Sequence, residues 1–296
     1  MIKNIGFLGI GAMGEGMISK LLEAGYNVKV YDIDEAALNK ASKMGAKKVS
    51  SANLVAKNVE LVILSLPHPD IVKKVIVNEG VLEVLETGTY IIDTSTIDPK
   101  TTLYLSEKAN KKGIQYLDSP VSGGPEGAAN GTLAIMVGGD KKAYEELKDN
   151  YNVLGDNIYY IGKSGTAQVL KLGHNMVAAS NVIALAEAFL IGVKSGINSK
   201  DMADVISKSV GRSGTLDIIV KPIVLEDNYE NPKFMLKHMH KDLKLYMRTV
   251  EEYNGCSPLG SQTLELYNSA INNFDNHWDY SVVSKIIEYL NNEKII

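Results

Sequence analysis

Apolar positions in the first half of the chain fall in short runs, and between the runs they recur at helical spacing. The runs at residues 5–8, 28–31, 61–65, 90–93, 115–118 and 134–137 have the length of buried strands. Stretches such as 15–24, 35–44 and 71–77 read as amphipathic helices between them. Strands alternating with helices predict an α/β unit with a doubly wound parallel sheet of the Rossmann type. The regime changes near residues 162–165, beyond which the periodicity is helical and no strand is expected. Residues 168–195 would make one helix of about seven turns at 3.6 residues per turn. Shorter helices are expected at 199–209, 214–222, 239–253, 259–272 and 281–290. Two domains follow, 1–163 with the sheet and 164–296 all-helical. No repeat at solenoid period and no low-complexity segment interrupts them.

The junction of the first strand and first helix carries a motif. Gly9, Gly11 and Gly14, with Ala12 and Met13 between the last two, give a G-x-G-x-x-G spacing directly after the run 5–8. Strand, tight turn and helix is the context in which a helix N-terminus holds a pyrophosphate. Gly9 permits the turn, Gly11 lets the backbone approach the ligand, and Gly14 lets helix and strand pack closely. Asp32 ends the second run, where a carboxylate accepts hydrogen bonds from ribose hydroxyls and repels a 2′-phosphate. Ile33 follows and no arginine stands beside it, so the pattern favours NAD, with NADP still open. Asp32 also suits the turn before a helix starting at Asp34, and the two roles are compatible.

Composition narrows the classes. The 296 residues exceed one average domain, and 45% hydrophobic content is enough for substantial cores. With 31 Lys+Arg against 35 Asp+Glu the net charge is −4, and no basic run suggests nucleic acid. Cys256 is the only cysteine, which fits a reducing compartment, and the N-terminus has neither the basic segment nor the uninterrupted apolar run of a signal peptide. Residues 176–193 are apolar enough to resemble a membrane span, but Asn181 and Glu187 are expensive in lipid. They are read as a buried helix between other helices. A cytoplasmic enzyme without membrane or nucleic-acid partners is the expectation.

Two further stretches carry candidate chemistry. In Asp118-Ser-Pro-Val-Ser-Gly-Gly124, a hydroxyl followed by two glycines exposes backbone N–H groups that can hold a carboxylate as a nest does. A plain glycine-rich hairpin fits as well, and the pattern taken alone leans that way. Lys171 and Asn175 are four apart on the long helix, with His174 beside them and Val169, Leu170, Leu172, Met176 and Val177 around them. A buried lysine loses basicity through desolvation, which suits proton transfer near neutrality; moving its pKa from about 10.4 to about 7.5 takes roughly 4 kcal/mol. A lysine snorkelling to the surface at the helix start accounts for the same pattern. His238 and His240, two apart, would face different sides of a helix, so no metal site is expected.

Taken together these stretches resemble the β-hydroxyacid dehydrogenase family, which includes 3-hydroxyisobutyrate dehydrogenase, tartronate semialdehyde reductase and, more distantly, 6-phosphogluconate dehydrogenase. The matching blocks, in order, are Gly9 to Gly14; Asp93-Thr-Ser-Thr96 with Pro99; Asp118 to Gly124 with Gly131-Thr-Leu133; Gly165 through Lys171 to Asn175; and Lys241-Asp242-Leu243. The resemblance implies reversible, NAD(P)-dependent oxidation of a β-hydroxy acid to its semialdehyde. It implies that Ser122, Gly123 and Gly124 bind the substrate carboxylate, that Lys171 is the general acid/base, and that Asn175 holds the substrate. Leu66 and Pro67 would line the cofactor cleft, with Thr96 near the nicotinamide. Lys241 would face the cofactor and Phe234 would close over it. An active site between the two domains and a homodimer or homotetramer are further implications.

His174 stands where the family usually has a first asparagine, and either altered substrate choice or a tolerated packing change fits. Arg212 would suit a second carboxylate on the substrate or simply a surface position near a helix end. Within the class, a reductase of tartronate, succinic or a related semialdehyde is the alternative. Imine reductases and non-catalytic nucleotide-binding relatives share the fold but usually replace the lysine, which this chain keeps as Lys171.

Overall fold

The computed structural model describes residues 2–296. The chain divides between Lys171 and Leu172 into two compact units. Among the described residues the first contains nine strands: β1 Asn4–Leu8, β2 Asn27–Tyr31, β3 Lys47–Lys48, β4 Leu61–Leu64, β5 Tyr90–Asp93, β6 Gln115–Asp118, β7 Val121–Ser122, β8 Ala134–Gly138 and β9 Asn157–Gly162. They form one sheet in the order β3-β2-β1-β4-β5-β6-β8-β7, with β9 on β8. The helices are α1 Ala12–Glu23, α2 Glu35–Lys43, α3 Ala52–Val55, α4 Pro69–Lys73, α5 Val81–Val84, α6 Pro99–Asn110, α7 Gly124–Asn130, α8 Lys141–Glu146 and α9 Lys148–Leu154.

From β3 to β6 the sheet is parallel, as expected, and its middle is buried on both faces. Along β1, Ile5 and Phe7 join one core with Met17 and Leu21 of α1, while Leu8 joins the opposite core with Val72. Along β4 the same period of two sends Leu61 and Ile63 to one face and Val62 and Leu64 to the other. A strand clothed on both faces reads as an unbroken apolar run, which is why these strands are visible in the sequence. Beyond β6 the sheet departs from the parallel arrangement expected. β8 runs antiparallel to β6 and β7, and only β9 restores a parallel partner. The strands absent from the sequence reading, β3, β7 and β9, are two residues long or largely unburied, so neither run length nor burial marks them.

The helical unit follows from α10, Thr166–Lys194, whose first turns belong to the first unit. Then come α11 Ser199–Ser207, α12 Leu236–Glu252, α13 Pro258–Asn273 and α14 Val283–Asn291. Ala179, Val182, Ile183, Ala186, Phe189 and Leu190 give α10 its buried stripe, packed in one core with Leu236, Met239, Leu243 and Tyr267. The expectation that residues 176–193 are enclosed by other helices holds for one side only. Half of the most apolar window of α10 is buried, and Val177 and Ile191 are more than half exposed. The helix expected at 214–222 is a π-helical turn, Leu216–Val220, and the one expected at 281–290 opens with a 3₁₀ turn, Tyr280–Val282. The buried Asp279 ties that turn to the segment entering α12. Its carboxylate accepts the N–H groups of Lys233, Phe234 and Ser281 at 2.9–3.2 Å.

Candidate active site

β1 lies between β2 and β4, so the chain leaves the sheet in opposite directions on its two sides, and the turn after β1 opens at this switch point. The three glycines of that turn are not equivalent. Gly9 adopts φ +95°, and a Cβ there would lie 2.3 Å from the Ser65 carbonyl oxygen. A Cβ on Gly14 would lie 2.1 Å from the Gly9 oxygen. A Cβ on Gly11 would meet nothing within 4 Å, and Gly11 caps α1 without a side-chain hydrogen bond. The first N–H groups of α1 therefore open onto free space, and the fold has no internal use for a glycine at position 11. A dinucleotide phosphate at a helix N-terminus fits that cradle.

Asp32, at the end of β2, binds the same turn. Its Oδ2 accepts from the Ile10 N–H at 2.5 Å and its Oδ1 from the Asp34 N–H at 2.9 Å. The carboxylate thus holds the β1–α1 turn and starts the turn into α2, where Asp34 caps by accepting from the Ala36 N–H. Ile33 beside it is almost fully exposed. Leu66 and Pro67 follow β4, and the Leu66 N–H donates to Ser95 Oγ at 2.9 Å. Thr96 lies in the segment after β5, which Asp93 shapes by accepting the Ser95 N–H at 2.9 Å. All these groups sit at the carboxyl ends of parallel strands.

Two buried aspartates that sequence reading did not single out for a role organise the next layer. Asp93 and Asp118 are cross-strand partners on β5 and β6, and both are fully buried. Burial pushes the Asp93 carboxyl up to about 6, against the opposing pull of hydrogen bonds from Ser95 and the Tyr116 hydroxyl, the latter at 2.6 Å. Burial also raises Asp118, opposed by backbone N–H groups at the start of α10. Its Oδ1 accepts from Gly165 at 2.9 Å and its Oδ2 from Gln168 at 3.3 Å. Asp118 therefore anchors the first turn of α10. The signal available in the sequence was an acidic residue ending an apolar run, the same signal that marked Asp32.

Ser122, Gly123 and Gly124 do not form a hairpin; they run into α7. Gly123 and Gly124 take φ +133° and +64°, so successive backbone groups point away from regular pairing. Gly16 lets α7 approach α1, since a Cβ there would fall 2.6 Å from the Ala129 nitrogen. Lys171 is buried at 7% exposure, as are Gln168 at 0% and Asn175 at 4%. At positions i, i+3 and i+7 they form a polar stripe along one buried side of an apolar helix. The surface-snorkelling alternative for Lys171 does not describe this structure. Val169, Leu170 and Val177, expected among its apolar surroundings, face outward instead.

Within the helical unit, the Asn175 side-chain amide donates to Asp242 Oδ2 at 2.6 Å, and Lys241 Nζ lies 2.9 Å from Asp242 Oδ1. His174, though exposed, places Nδ1 2.9 Å from Asn175 Oδ1. Asp242 thus links Asn175 to Lys241, a role the sequence left open. Phe234 packs its ring against His238 and Tyr280, with centroids at 5.8 and 6.2 Å. Arg212 is exposed in the turn after α11.

Residues 4–162 match the family described as the NAD binding domain of 6-phosphogluconate dehydrogenase. Residues 165–287 match the one described as NAD-binding of NADP-dependent 3-hydroxyisobutyrate dehydrogenase. The chain is 33% identical to the 2-(hydroxymethyl)glutarate dehydrogenase of Eubacterium barkeri, covering 97% of this chain and 95% of that protein. It is 34% identical to the NAD-dependent L-serine dehydrogenase of Pseudomonas aeruginosa, covering 97% and 98%. Among solved structures it is similar to Mycobacterium tuberculosis 3-hydroxyisobutyrate dehydrogenase with L-serine, at TM-score 0.91 and 31% identity over 97% of this chain and 99% of that one. Fold and fingerprint define a two-part NAD(P)-dependent oxidoreductase. The chain belongs to the β-hydroxyacid dehydrogenase family, whose members oxidise small hydroxy acids.

Proposed function

We propose that the chain reversibly oxidises a 2-substituted 3-hydroxypropanoate to its semialdehyde, with Lys171 as general acid/base. The acids in the names of the three relatives share a core. Serine, 3-hydroxyisobutyrate and 2-(hydroxymethyl)glutarate each carry a carboxylate and a CH₂OH on one carbon and differ in the third substituent. A site for this core needs an anion holder at one end and a proton acceptor at the other.

NAD(P) on the α1 turn supplies the hydride acceptor for oxidation and the donor for reduction. Ser122, Gly123 and Gly124 bind the carboxylate through the hydroxyl and backbone N–H groups of two left-handed-region residues. Lys171 Nζ takes the hydroxyl proton during oxidation and returns it to the carbonyl oxygen during reduction. Asn175, one turn further along α10, hydrogen-bonds the substrate, its amide oriented by Asp242. Asp32 selects NAD through the ribose hydroxyls, with Ile33 beside it in place of a cation. Leu66, Pro67 and Thr96 contact the cofactor; Phe234 and Lys241 are assigned to it on the family resemblance alone. The exposed apolar positions of α10, Leu170, Val177 and Ile191, support a homodimer or homotetramer. The single, unpaired-in-disulfide cysteine supports a cytoplasmic location.

The observation that carries this reading is the burial of Lys171 on a polar stripe whose helix start is anchored by Asp118. The test is nicotinamide absorbance on wild type and Lys171→Ala with 3-hydroxyisobutyrate, L-serine, glycerate, 2-(hydroxymethyl)glutarate and 4-hydroxybutyrate, each with NAD and NADP. Turnover of at least one of the first four acids should fall by about 10²–10⁴-fold in the variant, and 4-hydroxybutyrate, with its longer carboxylate-to-carbinol spacing, should be poor. Undiminished turnover in Lys171→Ala would refute the assignment.

A further inference from the structure

We infer that Gln168 is a positioning residue that sets the distance between the cofactor-side segment at Thr96 and the helix turn carrying Lys171. The inference rests on the roles proposed above for Lys171 and Thr96. The Gln168 side chain is fully buried. Its Oε1 accepts from the Ile97 N–H at 3.1 Å, and its Nε2 donates to the Ser95 carbonyl at 2.9 Å. These two groups flank Thr96 on either side.

This pair of bonds has a counterpart in the sheet. In a parallel ladder, one residue donates to the carbonyl before its neighbour and accepts from the N–H after it. The Gln168 amide makes that pair to the residues around Thr96, just beyond β5, where the ladder has ended. One planar primary amide carries the donor and the acceptor together, and it does so at every pH, whereas a glutamate of the same length offers a donor only when protonated. The other end of Gln168 is held as well, because its own N–H donates to Asp118. Lys171 follows three residues later on the same side of α10. Asp118, Gln168 and the Ser95–Ile97 backbone thus form a rigid strut from β6 through α10 to the segment after β5.

The strut matters for chemistry because proton and hydride must leave the same carbinol from two different directions. A misplacement of about 1 Å between reacting groups can cost about 100-fold in rate. A glutamine that merely satisfied a buried loop would affect stability and cofactor binding, with no selective effect on the chemical step.

The experiment compares full-length wild type, Gln168→Met, Gln168→Glu and Lys171→Ala. Methionine matches glutamine in length and leaves the backbone bond to Asp118 intact, while both side-chain bonds are lost. Kinetics use whichever acid of the panel turns over fastest, protonated and deuterated at the carbinol carbon, and calorimetry measures NAD affinity. Gln168→Met should lower kcat by about 100-fold, keep NAD affinity within about threefold, and raise the isotope effect on kcat as the chemical step becomes limiting. Gln168→Glu keeps the acceptor for Ile97 and should recover part of kcat, more of it at low pH, where the protonated carboxyl can donate to Ser95. Amide exchange at Ile97 should accelerate in Gln168→Met whether or not any acid turns over. A kcat within about twofold of wild type, a fall in kcat matched by an equal fall in NAD affinity, or unchanged exchange at Ile97 would each overturn the inference. Failure of the underlying functional reading would show separately, as turnover that survives Lys171→Ala.

Discussion

Asp93 shows how a buried carboxylate stores pH dependence. Its folded-state pKa is raised by burial from 3.8 to about 6. Between those values the native chain holds a proton that the unfolded chain has released. This group's contribution to stability is therefore complete below pH 4 and is lost as the pH rises through about 6. The slope is at most about 1.4 kcal/mol per pH unit. Asp93→Asn keeps an acceptor for the Ser95 N–H and can donate to the Tyr116 oxygen, and it does not titrate. Melting curves at pH 4.5 and pH 7.5 should show the variant gaining on wild type by about 2 kcal/mol at the higher pH. A difference that does not change with pH would show that Asp93 does not titrate in this range. In the sequence Asp93 was visible only as part of a matching block. Its role needs Tyr116 and Asp118 across the strand pair, and such pairing is not written locally.

At the scale of the element, the β1–α1 turn separates folding from binding within six residues. Gly14 lets the helix start lie against the backbone of the turn, whereas Gly11 faces open space at φ −69°, a conformation any residue adopts. Gly11→Ala should therefore melt like wild type yet bind NAD at least about tenfold more weakly, because the added methyl occupies the phosphate cradle. Gly14→Ala should lower stability by about 1–3 kcal/mol through forced overlap with the Gly9 carbonyl. Thermal melts with and without NAD distinguish the two. Equal loss of stability in both variants would mean that Gly11 also serves the fold. The spacing pointed to close packing at Gly14, which depends on the backbone of its own turn, whereas the constraint on Gly9 comes from the Ser65 carbonyl after β4 and is not written within the motif. The Ser122-Gly-Gly stretch was less legible. A glycine pair signals unusual backbone but not whether a hairpin or a helix follows, and that depends on α7 docking against α1 at Gly16.

At the scale of the molecule, two cores lie on the faces of the sheet and a third lies among the helices. Ligand binding to the native state raises stability by RT ln(1 + [L]/Kd), about 2.7 kcal/mol at a hundredfold excess over Kd. NAD should therefore raise the melting temperature of wild type more than NADP does at equal concentration. Exchanging Asp32-Ile33 for Asn-Arg should invert that order, because the carboxylate that repels a 2′-phosphate is replaced by a cation that binds it. Asp32 also holds the Ile10 N–H, so the exchange should cost some stability in the absence of ligand. An unchanged NAD-to-NADP order would place cofactor selection elsewhere.

What the sequence determined by itself was whatever depends on neighbours along the chain. That includes the strands from β1 to β6 that are buried on both faces, the helices of the second half, the glycine turn after β1, and the helix face that Lys171 shares with Asn175. The tertiary structure alone decided which groups meet across elements. The reversal of β8 against β6, the use of Asp118 to anchor α10, the grip of Gln168 on the residues around Thr96, and the link from Asn175 through Asp242 to Lys241 all join residues far apart in sequence. The physical reason is that periodicity records only whether a side chain faces water or the interior. A buried polar side chain looks the same in sequence whatever partner satisfies it, and that partner is chosen by packing.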